Sequence, residues 1–466
     1  MKILFVFPNI LKYENISFGI GSLSSYLKIR GHQTELIDFT YGMRLNTALE
    51  RVQEFQPDVI AFSTTTGDFL FSCDLAERIK KISSSPIIFG GVHPTIAPEE
   101  AIAHPAVDMI CVGEGEEALA ELLERFDHNP TDIPNLWIKV DGRIIRNPVR
   151  PLINDLDSLP RVDLDLFDYD TLLPLRAYEG QVMVGRGCPY QCSYCINPIL
   201  QELYSSKGKF VRYRSPENVI QEVKEMVARY PIKTIYFCDD VFVLNKKWLA
   251  SFCSLYKQEV GLPFRCQARA EMLNPEVCGV LKEAGCFNIQ MGIEAGNERI
   301  RKDVLRRKMS DELIVTAAKS VKDAGMTLYT YNMVGLPFET EQEILETIEL
   351  NKTIEPDFMQ TSIFQPYPGT ELKNICEREG WLTAETTQIK SNKFSSIVEY
   401  PELSSKTIQK YKRRFRYLVY KDKNLFKALI ILFFDSNYRL LTAIRGLVPQ
   451  WVRARVNQVI FKLNTS

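Results

Sequence analysis

Short runs of β-branched and aromatic residues recur along most of this chain, each followed by a longer amphipathic stretch. That rhythm leaves few options. Parallel neighbouring strands need a helix-length crossover, and the sheet they build is covered on both faces. In residues 1–128 the strands are Ile3–Phe7, Glu35–Phe39, Val59–Ser63, Ile87–Phe89 and Met109–Val112, and four of the five precede a helix-length segment. The exception is Ile87–Phe89, whose follower Pro98–Ala103 is short. The pattern predicts a Rossmann-like, doubly wound α/β domain that binds its ligand at the carboxyl ends of the strands. Ser63 and Thr64 follow the third strand, Gly90, Gly91 and His93 the fourth, and Gly113 and Glu114 the fifth.

Residues 129–180 read as a connector, with a hairpin whose turn is Asp141-Gly142 and a Pro- and Asp-rich crossing in which no helix is expected. A second alternation fills residues 181–381. Its six strands are Val182–Gly185, Thr234–Phe237, Phe264–Ala268, Asn288–Gly292, Leu328–Val334 and Met359–Phe364, with helices such as Pro216–Arg229 and Asp311–Ala324 between them. Six βα units in succession predict a partial TIM-like barrel. Residues 382–466 form a third, mainly helical zone.

Charge separates these zones. The whole chain of 466 residues carries a formal net charge of −1, yet residues 406–466 hold 14 Lys or Arg against two Asp, about +12, leaving about −13 elsewhere. A body of that sign is not built to grip nucleic acid, and the tail is too apolar for a flexible basic arm. Eleven cysteines, an odd number, and no leader in Met1 to Asn9 point to a reducing cytoplasm. The longest apolar run, Ala428–Phe434, is far short of a membrane span.

Three cysteines, Cys188, Cys192 and Cys195, stand in one motif directly after the first strand of the second zone. A closed zinc site takes four ligands, and all four histidines lie in the first zone, so no second pair is at hand. Three thiolates suit an iron–sulfur cluster with one iron left without a protein ligand.

Cys-x-x-x-Cys-x-x-Cys on that loop resembles the radical S-adenosylmethionine (SAM) superfamily. The resemblance implies a [4Fe–4S] cluster on the three cysteines, with SAM chelated to the open iron and cleaved to a 5′-deoxyadenosyl radical. It implies further that Tyr194 lies near the adenine, and that Asp239 and Asp240, after the second strand, meet the SAM amino group. Arg269 after the third strand would meet the carboxylate, and Glu294 after the fourth a ribose hydroxyl. Gly335 and Pro337, in the turn after the fifth, would touch the adenine. Singly, Arg269 or Glu294 is an ordinary ion-pair residue and an Asp pair an ordinary helix cap; their placement at successive strand ends is what counts.

Residues 1–375 in order resemble the cobalamin-binding-domain subfamily of that superfamily, which includes class B methyltransferases and enzymes like the magnesium-protoporphyrin monomethyl ester cyclases. The resemblance implies that Ser63, Thr64, Gly90, Gly91, His93, Gly113 and Glu114 surround cobalamin. No Asp-x-His-x-x-Gly motif is present, so the cobalamin is expected base-off without a histidine ligand. The function implied is methyl transfer to an unactivated carbon of a small or lipid-like metabolite, fed by a flavodoxin- or ferredoxin-type electron donor, with no side chain assigned as a catalytic acid or base. An oxidative cyclase is the alternative, and a non-catalytic corrinoid- or SAM-binding regulator a third. The basic tail reads either as a helical cap with a solvated face or as an interfacial helix pair at a membrane surface.

Overall fold

The structure is a computed structural model that describes residues 1–382, 395–437 and the single positions 448, 452, 453 and 455. It divides into two compact units. The first is Met1–Leu172 with Ile196–Arg212 and Tyr367–Gly369; the second is Leu173–Cys195, Tyr213–Pro366 and the chain from Thr370 onward.

In the first unit the order is β1 (Lys2–Phe7), α1 (Phe18–Lys28), β2 (Gln33–Asp38), α2 (Leu45–Phe55), β3 (Val59–Ser63), α3 (Phe69–Lys80), β4 (Ile87–Gly90), α4 (Val92–Ile96), α5 (Pro98–Ala103), β5 (Met109–Cys111), α6 (Glu116–Glu124), β6 (Leu136–Val140) and β7 (Arg143–Arg146). The sheet runs β2-β1-β3-β4-β5-β6-β7, parallel through β5. Its central strands β1, β3, β4 and β5 are mostly buried, as a sheet covered on both faces requires, while β2, β6 and β7 are partly open. The Asp141-Gly142 hairpin does not belong to a free connector: β6 pairs antiparallel with β5 and extends the sheet. Asp141 (φ 47°) and Gly142 (φ 75°) both take the left-handed conformation that a type I′ turn demands.

A helix also forms where none was expected, α7 (Tyr169–Leu175), because Asp168 accepts the Thr171 amide at 3.1 Å and starts the first turn. The chain continues through β8 (Glu179–Val182), β9 (Gly185–Arg186), α8 (Asn197–Leu203), β10 (Arg212–Tyr213), α9 (Pro216–Arg229), β11 (Thr234–Phe237), α10 (Lys246–Glu259), β12 (Phe264–Ala268), α11 (Pro275–Glu283), β13 (Cys286–Glu294), α12 (Asp311–Asp323), β14 (Thr327–Val334), α13 (Glu341–Ile354), β15 (Phe358–Ile363), α14 (Glu371–Arg378), α15 (Ser405–Tyr420) and α16 (Leu425–Ser436). The expected strand Val182–Gly185 is broken. Val184 and Gly185 give their amides to the Asp239 carboxylate instead of a ladder, so the long strand ends at Val182.

The second unit is built on a parallel six-stranded sheet, β15-β14-β13-β12-β11-β8. Its helices start where the sequence supplies a cap: Ser215, Asn245, Asn274, Ser310 and Thr370 each accept an amide from the first turn of the helix that follows, and Thr340 with Glu343 closes a capping box. Along β14 alternate residues are buried against helices and half-open on the concave face. The basic helix α15 is part of this unit, its Ile408 and Phe415 lying in the same core as Val334, Ile348 and Phe364. The expected helical zone beyond Asn437 lies almost wholly outside the described residues.

The chain between β13 and α12 folds around Arg301, whose side chain has no exposure. Its guanidinium donates to the carbonyls of Met309 (3.0 Å), Ala295 (2.9 Å) and Gly296 (2.7 Å) and pairs with Asp311. Arg301→Met would leave those buried carbonyls without donors. Urea denaturation of the full chain should show a loss of about 3 kcal/mol or more.

Candidate functional site

The three cysteines sit on the loop that follows β9, and the chain fixes this loop at both ends. At its start, Asp239, just past β11, accepts the Gly185 amide at 2.8 Å and the Val184 amide at 3.1 Å. Burial raises the Asp239 carboxyl to about 7 against the pull of these two amides. At its centre, the Ser193 hydroxyl donates to the Val304 carbonyl, the Ser193 amide to Leu305 at 3.3 Å, and the Leu372 amide to the Ser193 carbonyl at 3.2 Å. The Cys195 amide turns back onto the Cys192 carbonyl at 3.0 Å. Cys188 and Cys192 are buried and Cys195 is half-buried. Burial pushes the Cys188 thiol up to about 11, with Asp240, Cys195 and Cys192 near enough to add to the rise.

Two guanidinium groups converge on Cys192. Arg269, following β12, brings Nη1 to 3.3 Å from Sγ, lies over the Tyr190 ring at 3.7 Å and pairs with Glu271 at 2.6 Å. Arg307 reaches the same sulfur at 3.9 Å. It also donates to Gly292 O and to the Tyr194 hydroxyl (3.2 Å), and stands 3.9 Å from Glu294. Its Nε is buried without a partner. Glu294 holds φ at 71°, a left-handed value rare for a side chain of this kind, and burial raises its carboxyl against the opposing field of Arg307.

This donor set fits the expected cluster. Among the described residues no group of three His, Cys, Asp or Glu closes on a single metal ion, and thiolates that each ligate a different iron of one cluster need not do so. Two buried cations beside one sulfur offset the negative charge that a thiolate cluster brings. Sequence reading missed Arg307, because nothing in Arg306-Arg307-Lys308 marks the middle residue as the buried one.

Other expected residues are placed differently. Asp239 has its oxygens taken by backbone amides, while Asp240 is exposed. Gly335 (φ 73°) is pressed against α15: a Cβ there would lie 2.9 Å from Ile408. Glu339 accepts the Gly335 and Leu336 amides at 2.6 and 3.1 Å, Tyr400 donates to the Gly335 carbonyl at 2.9 Å, and Pro337 is buried. The turn expected to meet the adenine is therefore packed on one side by the chain's own C-terminal segment.

In the first unit the strand order reverses between β1 and β3, which places the ligand crevice of such sheets at their carboxyl ends. Several residues expected there are bound up in the fold. Thr64 is buried, donating its amide to Gly90 O at 2.8 Å and accepting the His93 amide at 3.0 Å. Gly91 (φ 93°) leaves only 2.9 Å between a would-be Cβ and the Thr64 nitrogen. His93 is 1% exposed, its ring 4.0 Å from that of Phe69, and burial lowers its pKa to about 4. It is a neutral residue of the packed interior. Gly113 (φ 86°) packs on Tyr204, whose hydroxyl accepts the Glu114 amide at 2.7 Å. The Glu114 carboxylate is held by both terminal nitrogens of Arg212. Ser63 and Gly90 are half-buried at the strand ends.

At the reversal itself the surface differs. Ile10, Leu11 and Tyr13 after β1 are exposed, as are Thr65 and Gly67 after β3. Thr65 donates to Asp68 Oδ2 at 2.6 Å, and Oδ1 of Asp68 is buried without a partner. Exposed apolar groups beside an orphaned acceptor fit a bulky, largely apolar macrocycle carrying amide donors. No ligand role is assigned to these residues from sequence, since the polar ends of neighbouring strands draw notice more readily than an exposed isoleucine.

Comparison with known proteins agrees with this architecture. The radical SAM superfamily matches residues 182–350 and the B12 binding domain residues 10–123. The chain is 28% identical to an uncharacterized methyltransferase of Pyrococcus horikoshii, over 97% of this chain and 99% of that one. It is 24% identical to an anaerobic magnesium-protoporphyrin IX monomethyl ester cyclase of Rubrivivax gelatinosus, over 80% of this chain and 69% of that one. The radical SAM methyltransferase TsrM of Kitasatospora setae, solved with cobalamin and a [4Fe–4S] cluster, shares the fold at a TM-score of 0.69. The identity there is 16%, covering 84% of this chain and 78% of that one.

Two outcomes follow from the geometry. Arg307→Gln removes one of the two cations at Cys192, so the potential of the anaerobically loaded cluster, followed by EPR during reductive titration, should fall by on the order of 50 mV, and by less in Arg307→Lys. The second concerns Glu339, whose carboxyl burial raises to about 8. The folded chain keeps a proton there that the unfolded chain has released. Stability should therefore decline from the ordinary carboxylate range up to about pH 8, by at most about 1.4 kcal/mol per pH unit. Urea midpoints of Glu339→Gln should show a flatter profile over that window.

Proposed function

We propose that this chain, a member of the radical SAM superfamily with a B12-binding domain ahead of its radical SAM domain, is a cobalamin-dependent methyltransferase acting on an unactivated carbon of a small or lipid-like metabolite. The observation that carries the reading is the cysteine loop held at the carboxyl end of the barrel with Arg269 and Arg307 on Cys192, in a chain whose other unit exposes apolar residues at its strand reversal. When bound, the cluster supplies an electron for SAM cleavage and cobalamin carries a methyl group.

The protein's own part is placement and charge. Cys188, Cys192 and Cys195 hold the cluster, and Asp239 and Ser193 keep their loop from moving. Asp240, the exposed member of its pair, is the group this reading assigns to the SAM amino nitrogen, and Arg269 and Glu294 are the groups for its carboxylate and ribose. Arg307 ties Tyr194 and Glu294 to the sulfur side of the site. Ile10, Leu11, Tyr13, Thr65 and Asp68 are the cobalamin contacts this reading assigns, in place of His93 and Glu114.

On the concave face, Gln290 Oε1 accepts from Tyr236 (3.2 Å) and Tyr331 (2.7 Å), and Gln267 donates to Tyr236 at 2.9 Å. Burial raises both phenols, so they stay protonated and orient a substrate instead of taking a proton from it. A flavodoxin- or ferredoxin-type protein is the electron donor, and the site of action is the cytoplasm.

The similarity to a cyclase over four-fifths of the chain favours oxidative ring closure as the second reading. Anaerobic reduction of the loaded chain with SAM and an extract from cells lacking it separates the two. A methyltransferase should release S-adenosylhomocysteine together with 5′-deoxyadenosine, whereas a cyclase should release the nucleoside alone. An intact cluster that yields no 5′-deoxyadenosine sinks both readings. Cys192→Ala should lose the cluster's visible absorbance and all cleavage.

A further inference from the structure

Among the described residues sixteen large apolar side chains are exposed, and six of them stand on the twelve-residue helix α16: Leu425, Phe426, Leu429, Ile430, Phe433 and Phe434. Of the other ten, Ile10, Leu11 and Tyr13 border the strand reversal of the first unit, and the remaining seven stand apart along the chain, which is ordinary for a protein surface. At helical spacing the six cover one half of α16. The opposite half faces its own unit: Ala428 is buried, Ile431 joins the core of that unit, and Asp435 pairs with Arg416 of α15 at 2.9 Å. The outward half is therefore a continuous apolar surface, with Phe426 77% and Phe433 60% exposed.

Its surroundings are basic. Residues 405–437 hold nine Lys or Arg against two Asp. Lys406, Lys410, Arg413 and Arg414 are exposed on α15, and Lys423 and Lys427 border the start of α16. Both acids are engaged, Asp435 with Arg416 and Asp422 with Lys352. No described helix is long and apolar enough to cross a membrane, and twelve residues of helix span only about 18 Å.

We propose that α16, flanked by the basic face of α15, seats its apolar half in the headgroup boundary of an anionic lipid bilayer and lies parallel to the surface. An apolar half-helix edged by Lys and Arg is complementary to such a boundary, where the acyl region takes the side chains and the headgroups take the charge. A second copy of this chain fits less well, because pairing two such faces would bring two surfaces of the same positive sign together. The inference is independent of the reaction proposed above, and its failure would leave that reaction untouched.

The test is co-sedimentation of the full, anaerobically purified chain with vesicles of phosphatidylcholine alone or mixed with phosphatidylglycerol. The mixed vesicles should bind the chain, the phosphatidylcholine vesicles should bind it at least about tenfold more weakly, and added salt should weaken binding. Phe426→Ser with Phe433→Ser, both on the surface and harmless to packing, should lower binding to mixed vesicles about tenfold, as should Arg413→Glu with Arg414→Glu. Circular dichroism of each variant should match the parent. Equal binding to both vesicle types, or none to the mixed ones, overturns the proposal. So does a concentration-dependent dimer, seen by light scattering, that the two Phe substitutions abolish without any vesicle binding.

Discussion

Arg301 has no exposed surface, and its guanidinium reaches three backbone carbonyls and the Asp311 carboxylate across a loop of fewer than twenty residues. A buried cation is tolerated only when its donors are filled, so the chain from Ala295 to Asp311 has to close around it. That closure sets what comes next. Val304 and Leu305 are presented to Ser193 in the middle of the cysteine loop, and Arg307 is turned back toward Gly292, Tyr194 and Cys192. Gly296 belongs to the same arrangement: its hydrogen faces the backbone of α13 so closely that a Cβ would lie 2.3 Å from Thr347 Cα. The geometry at the thiols depends on a loop that never touches them except through Arg307.

The two units use their strand ends in opposite ways. In the first, Gly91, Thr64, Gly113 and Glu114 are consumed by hydrogen bonds and close backbone approach, which locks the ends of β3, β4 and β5 together. What is left open lies where the strand order reverses, around Ile10, Leu11 and Asp68. In the second unit the ends of β11, β12 and β13 bring charge together instead, and the positive groups are the ones nearest to sulfur. A cluster of thiolates in a buried place needs cations at short range, since solvent cannot screen it there. The Arg269 and Arg307 side chains meet that need, with Glu271 paired to the first and Glu294 standing beside the second.

The C-terminal helices join catalysis to surface properties. α15 is not an appendage, since Ile408 closes the turn at Gly335 and Tyr420 donates to the carbonyls of Pro356 and Asp357. Its inner face completes the barrel's core while its outer face stays basic, and α16 carries the apolar surface that this arrangement leaves uncovered. The near-neutral total charge hides this division, because the acidic body and the basic tail cancel in the sum.

Periodicity alone determined the parallel part of the first sheet, β1 to β5, and the parallel sheet of the second unit. A strand followed by an amphipathic helix can return only to a parallel neighbour, so β3, β11 and β12 begin and end where their residue runs do. The cysteine triplet was legible for the same kind of reason: its spacing is local, and three thiols on one loop have little other use. Position at a strand end was a weaker guide. It marked Arg269 and Glu294, which the structure brings to the cysteine loop, but equally His93, Glu114 and Gly335, which the fold has claimed for itself. Distinguishing them takes knowledge of what packs against each one, and those partners, Phe69, Arg212 and Ile408, are separated from them by between about 24 and 98 residues of sequence. Arg307 escaped notice because burial of one cation in a run of three is decided by a loop that folds around Arg301. Local pattern sets which elements form, and only tertiary contact decides which polar groups are left free to work.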